Sequence, residues 1–151
     1  MILRFPEFSR DMRRGDEAAV DSLLAETDRV AVRRVAALRR SGRIAGETVL
    51  PWQGEIVGYY ALAGMEAPEG CLCLAALAIA PDWQGAGHGR RLIGMLSEWA
   101  RLSGRSVVAR GPGAFLERAG FVPMEGAGLY VAGPAPEASA LVFPPDMAPR
   151  A

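Results

Sequence analysis

Apolar and polar positions alternate between two rhythms along this chain, and the switches between them mark its elements. From Asp16 to Glu26 the apolar residues Ala19, Val20, Leu23 and Leu24 recur at helical spacing. A second helix is expected from Asp28, with Asp28 or Thr27 as its cap, through Ser41: Val32, Val35 and Leu38 share one side while Arg33, Arg34, Arg39 and Arg40 fall mostly on the other. Gly42 is placed to end it. The rhythm then becomes that of strands. Thr48 to Trp52 and Glu55 to Ala63 flank a Gln53-Gly54 turn, and the second run, EIVGYYALA, is apolar on both faces as a central strand should be. After a Pro/Gly turn at Glu66 to Gly70 comes Cys71 to Ile79, nine residues without a charge, which reads as another buried strand. Helical spacing returns in Leu92, Ile93, Leu96, Trp99, Ala100 and Ser103, predicting a helix from near His88 to about Gly104. Shorter segments follow: a strand at Ser106 to Ala109, a helix at Gly113 to Ala119, strands at Phe121 to Met124 and Leu129 to Ala132, and a last strand at Leu141 to Phe143. Met1 to Phe5 suits a first strand. Residues 1–143 therefore read as one domain, and the Pro-rich tail 144–151 is expected to be disordered.

Composition narrows the function classes. Seventeen cations balance seventeen anions, so no general charge argues for a nucleic-acid surface or a basic partner. Every cation is Arg. The start of the chain lacks a signal-type apolar region and no apolar run reaches membrane-spanning length, which predicts a cytoplasmic protein with no membrane contact. Cys71 and Cys73 project to the same face of one strand, a pattern of reduced core thiols. One His and a C-x-C pair form no metal-ligand set.

Candidate chemistry sits where the apolar strand hands over to the helix, at Pro81-Asp82-Trp83-Gln84-Gly85-Ala86-Gly87-His88-Gly89-Arg90. Glycines at a helix N-terminus let an anionic group approach unpaired main-chain N-H groups at the positive end of the helix dipole. Arg90 and Arg91 add charge in the same turn. A dinucleotide GxGxxG cannot be read through Gly85, Gly87 and Gly89, and a chain without Lys has no P-loop.

Gln84-Gly85-Ala86-Gly87-His88-Gly89 resembles the Q/R-x-x-G-x-G/A signature of the GNAT superfamily of acetyl-CoA-dependent N-acyltransferases. Phe115-Leu116-Glu117-Arg118-Ala119-Gly120-Phe121 is similar to that family's F-Y-E-K-x-G-F segment. The resemblance implies a mixed α/β fold whose central, mostly antiparallel sheet is flanked by helices, with the strands at 71–79 and 106–109 splayed around a pantetheine arm. It implies that main-chain groups at Leu77, Ala78 and Ile79 hold that arm. Those of Gly85, Ala86, Gly87, His88, Gly89 and Arg90, with Gln84 at the head of the motif, would hold the pyrophosphate of acetyl-CoA or another acyl-CoA. It further implies direct attack by a primary amine, on a small molecule or a protein, and allows a homodimer through edge strands.

The family's usual proton donor to the departing thiolate is a Tyr, and that position is Leu116 here. Tyr59, Tyr60, Cys71, Cys73 and Tyr130 are the substitutes the sequence offers, each with core packing as its plainer role. His88 lies inside the phosphate turn, where packing or phosphate contact suits it better than catalysis. Two other classes follow from the Leu: a degenerate domain that binds acyl-CoA as a sensor without turnover, and a domain that keeps the fold only to bind a partner.

Overall fold

A computed structural model of the chain describes residues 8–125 and 128–147. The expected strand at Met1 to Phe5 lies outside them. The first described strand is β1, Arg10–Asp11, followed by helices α1 (Glu17–Thr27) and α2 (Arg29–Arg40), then strands β2 (Ile44–Trp52), β3 (Glu55–Gly64) and β4 (Leu72–Ile79). Helix α3 (His88–Ser103) leads to β5 (Val107–Arg110), α4 (Gly113–Arg118), β6 (Val122–Pro123) and β7 (Leu129–Ala132). They form one seven-stranded sheet in the order β1-β2-β3-β4-β5-β7-β6, antiparallel throughout except for the parallel pair β4–β5.

The two faces of the sheet carry separate cores because strand residues alternate. On one face α1 and α2 pack Val20, Leu24, Val35 and Leu38 against Val49, Tyr59, Ala61, Cys73 and Val108. On the other, α3 and α4 pack Ile93, Leu96, Ala100 and Leu116 against Leu62, Leu72, Val107 and Ala109. Each fully buried Val or Leu contributes roughly 1.5–3 kcal/mol, enough for either layer to hold its helices. Asp28 caps α2, its Oδ1 accepting from the Ala31 N-H at 3.3 Å.

Four expectations need correction. Ala19 is exposed, and only Val20, Leu23 and Leu24 of α1 face the sheet. Of the four arginines expected on the polar side of α2, Arg33 and Arg40 are exposed, but Arg34 and Arg39 turn back onto the protein. Arg39 reaches over the edge of the helix to Glu47 at 2.7 Å, and Arg34 donates to the Ala75 carbonyl at 2.8 Å, because a long side chain can lay its stem on apolar surface and deliver its head to an acceptor. Leu141 to Phe143 is no strand. It supplies a single bridge, Val142 to Ala67, beyond a 3-10 turn at Ala138–Ala140. The tail is packed as far as Met147: Pro145–Met147 forms a 3-10 turn that buries Met147 against α2, and Arg110 Nη1 donates to the Met147 carbonyl at 2.5 Å.

Candidate functional site

Strands β4 and β5 pair only at Leu72–Val107 and Cys73–Val108, and then diverge. The divergence coincides with an irregularity in β4. Opposite β3, Ala76 pairs with Ala61 and Leu74 with Leu62, so Ala75 is left out of register as a bulge, and its carbonyl is taken by Arg34 instead of a strand. The strands thus open onto a cleft of about 780 Å³. Its walls are Leu74 to Leu77 and Ile79 of β4 on one side and Ala109, Gly111, Pro112, Phe115 and Leu116 on the other.

The glycine segment closes one end of this cleft. A 3-10 turn, Pro81–Trp83, buries Trp83 against Leu50 and Val57, which anchors the segment to the sheet. Gln84 Nε2 donates back to the Ile79 carbonyl at 2.9 Å. Gly85 and Gly87 follow at φ +81° and +85°, where a side chain would be strained. Gly87 is the N-cap of α3, and no side chain caps that helix. The first N-H taken within the helix is that of Arg91, on the Gly87 carbonyl at 3.0 Å, so the main-chain donors of Gly89 and Arg90 point out of the helix end. His88 is buried, its ring 5.2 Å from that of Trp83. Arg91 Nη2 approaches its Nδ1 at 2.5 Å, and since a guanidinium can only donate, Nδ1 accepts and any ring proton sits on Nε2.

Of the residues expected to hold a cofactor, Leu77, Ile79, Gln84, Gly85, Gly87, His88, Gly89 and Arg90 line the cleft together. Ala78 alternates to the other face, and Ala86 lies on the exposed tip of the turn.

The five candidate proton donors are not assembled there. None of them is among the lining residues. Tyr59 is fully buried in the α1–α2 core and donates to Glu47 Oε1 at 2.6 Å; burial first, and then that bond to a carboxylate, push its pKa up. Burial also raises Tyr60 and Cys71, and it pushes Cys73 up to about 12. Tyr130, on β7, sets its hydroxyl against Gly113, so close that a Cβ there would stand 2.0 Å away. Leu116 does line the cleft and is 1% exposed. The side chains with ionisable groups that line it are Asp28, Arg34, His88, Arg90, Arg110 and Arg118.

Asp28, Arg34 and Arg110 were missed by the sequence reading. They enter from the α2 side of the sheet, whereas the glycine segment, Phe115 and Leu116 stand on the α3–α4 side. The only sequence signal for Arg34 was a helical register that put it among the charges facing away.

Fold and cleft together define a mixed α/β domain whose sheet is opened between two parallel strands beneath a glycine-rich helix terminus. Residues 44–123 match the family model described as an acetyltransferase (GNAT) domain, and the chain belongs to that family. No curated protein matches it in sequence. Among solved structures it is similar to a GNAT family acetyltransferase from Brucella melitensis in complex with acetyl-CoA, at 21% identity over 93% of this chain and 97% of that one, with a TM-score of 0.76. The GNAT family N-acetyltransferase YhbS from Escherichia coli, in complex with CoA, is also 21% identical over 87% of this chain and 83% of its own, with a TM-score of 0.73. GphF, a GNAT-like decarboxylase in complex with isobutyryl-CoA, aligns less closely, at 21% identity, 76% and 72% coverage and a TM-score of 0.54. At these identities the likeness is one of fold.

Proposed function

We propose that this chain is an acyl-CoA-dependent N-acyltransferase, most simply an N-acetyltransferase that moves an acetyl group to a primary amine. The observation that carries the reading is the open edge of β4 running into an uncapped helix terminus with two left-handed glycines. An extended ligand with an anionic end fits that arrangement: main-chain groups from Leu77 to Ile79 receive amides along its length, and N-H groups from Gly85 to Arg90 receive its pyrophosphate. Complexes of the solved relatives with CoA, acetyl-CoA and isobutyryl-CoA support the same assignment.

Bound there, an acyl-CoA supplies an activated thioester. The chain's own part is then positioning. Leu74, Leu77, Phe115 and Leu116 keep water from the apolar part of the cleft, which strengthens whatever main-chain dipoles face the reacting carbonyl. Asp28 is the one carboxylate among the described residues that line the cleft, so it is our candidate to receive the proton of the attacking amine, directly or through water. Leu116 offers no proton to the leaving thiolate, so CoA departs as the thiolate and takes its proton from solvent on release.

The same Leu116 favours a second reading, an acyl-CoA sensor without turnover. Calorimetric titration with acetyl-CoA and with CoA tests both readings. Micromolar binding followed by thiol release in an amine screen is the expected result. Binding without thiol release from any amine would leave the sensor, and no binding at millimolar ligand would overturn both.

A further inference from the structure

The end of the cleft away from the glycine segment carries two cations to which the proposed CoA site assigns no role. Arg34 is half-buried and spends one donor, Nη1, on the Ala75 carbonyl. Arg110, at the end of β5, spends one on the Met147 carbonyl and lies with its Cζ 4.0 Å from the centre of the Phe143 ring. Each guanidinium has five N-H donors. Both line the cleft, and the charge of Arg34 bears on Arg110. Among the described residues neither has a carboxylate within ion-pair distance, whereas Arg10, Arg43 and Arg101 each have one and Arg39 has three. Two held cations in one cleft, with most of their donors unspent, are an arrangement suited to an anion.

Their place in the cleft says which anion. Ala75 stands four residues before Ile79, so the carbonyl that holds Arg34 is about 13 Å along β4 from the start of the glycine segment. That separation puts the pair beyond the pyrophosphate and near the acyl end. Arg90 and Arg118 lie on the other side of the sheet, where the phosphates would be. In a peptide or protein acceptor the carboxyl next to the attacking amine is a neutral amide, so only an acidic side chain could bring the pair a charge.

We propose that Arg34 and Arg110 together bind a carboxylate on the acceptor, so that the acceptor is a small amine of amino-acid type. The inference rests on the reading of the cleft given above. Because it concerns recognition, it can be tested without turnover, on the reaction product. Protein saturated with CoA is titrated calorimetrically with a panel of N-acetyl amino acids and with the matching N-acetyl amino acid amides, which differ only in the charge. The expected result is that at least one acid binds about ten- to a hundredfold more tightly than its amide, the range of a hydrogen-bonded charge. In Arg110→Gln, and independently in Arg34→Gln, that preference should collapse while CoA affinity stays as in the parent. Equal binding of acid and amide, no binding of any acid to the CoA complex, or an acid preference that survives in Arg110→Gln would each overturn the proposal. Failure of CoA itself to bind would instead overturn the function assigned to the cleft, and this inference with it.

Discussion

Replacing Gly87 by Ala should separate the binding role of the glycine turn from its folding role. Gly87 sits at φ +85°, and an L side chain in that left-handed region costs roughly 1–2 kcal/mol. The added Cβ would stand 3.3 Å from Arg91 Nη1, the movable end of a long side chain, so steric cost adds little. Gly104, at the other end of α3, provides the control: its φ is +71° and a Cβ there meets nothing within 4 Å. Both variants should therefore lose about the same stability, which for a domain of this size lowers Tm by about 2–4 °C per kcal/mol. Only in Gly87→Ala does relief of the strain rotate main-chain N-H groups away from the pyrophosphate. A lost hydrogen bond to a charged group is worth about 1.5–3 kcal/mol, so CoA affinity should fall by about ten- to 150-fold there and stay unchanged in Gly104→Ala. Thermal unfolding and calorimetric titration with CoA give both numbers. Equal CoA affinity in the two variants, at matched loss of Tm, would refute the argument that the turn is held left-handed for its ligand.

Two further outcomes follow from residues outside the cleft. Tyr59→Phe removes a hydroxyl from a buried group in which Glu47 also accepts from Arg39 Nε and Nη2, so denaturant unfolding should show a loss of about 1–3 kcal/mol with CoA affinity intact; unchanged stability, or weakened CoA binding, would contradict the placement. Asp16 accepts two bonds from the Arg10 guanidinium, at 2.6 and 3.1 Å, and those bonds hold its pKa at about 2 against an ordinary 3.8. A depressed carboxylate stabilises the fold above its unfolded pKa, so this contribution is complete above pH 3.8 and is lost as pH falls toward 2. Near the surface it is worth under about 1 kcal/mol. Melting curves of the parent and Asp16→Asn should therefore differ at neutral pH and converge in acid; a gap that persists to about pH 2 would mean that Asp16 acts by some means other than its charge.

Much of this architecture could be read from the chain because its signals are strong where its elements are buried. The uncharged run to Ile79 and the EIVGYYALA segment are strands, and the glycine turn stands between strand and helix as expected. The Gln53-Gly54 turn forms with both residues at positive φ. What could not be read depends on neighbours distant in sequence. The bulge at Ala75 lies within a run of small apolar residues that would suit an unbroken strand equally well, and only the pairing with β3 and the guanidinium of Arg34 mark it. Alternation along β3 does tell that Tyr59 and Tyr60 face opposite ways, yet nothing local says which core each would join. Arg34 and Arg39 were misread because helical periodicity gives the direction of a Cβ, while an arginine head can lie several ångströms from there. Residues 144–147 of the tail were misread because one apolar residue, Met147, docks a segment whose composition otherwise resembles a linker.

The junction of β4 and β5, two residue pairs long, makes the sheet mechanically two blades: β1 to β4 on one side, and β5, β7 and β6 on the other. Within each blade the strands are laced by ladders of their own, while the blades are joined by that short seam and by the helix layers packed on the two faces of the sheet. A molecule lying along the open edge of β4 would touch both blades at once and act as mortar between them. Loading the cleft would then stiffen the whole sheet, and the domain's rigidity would become a function of what it carries.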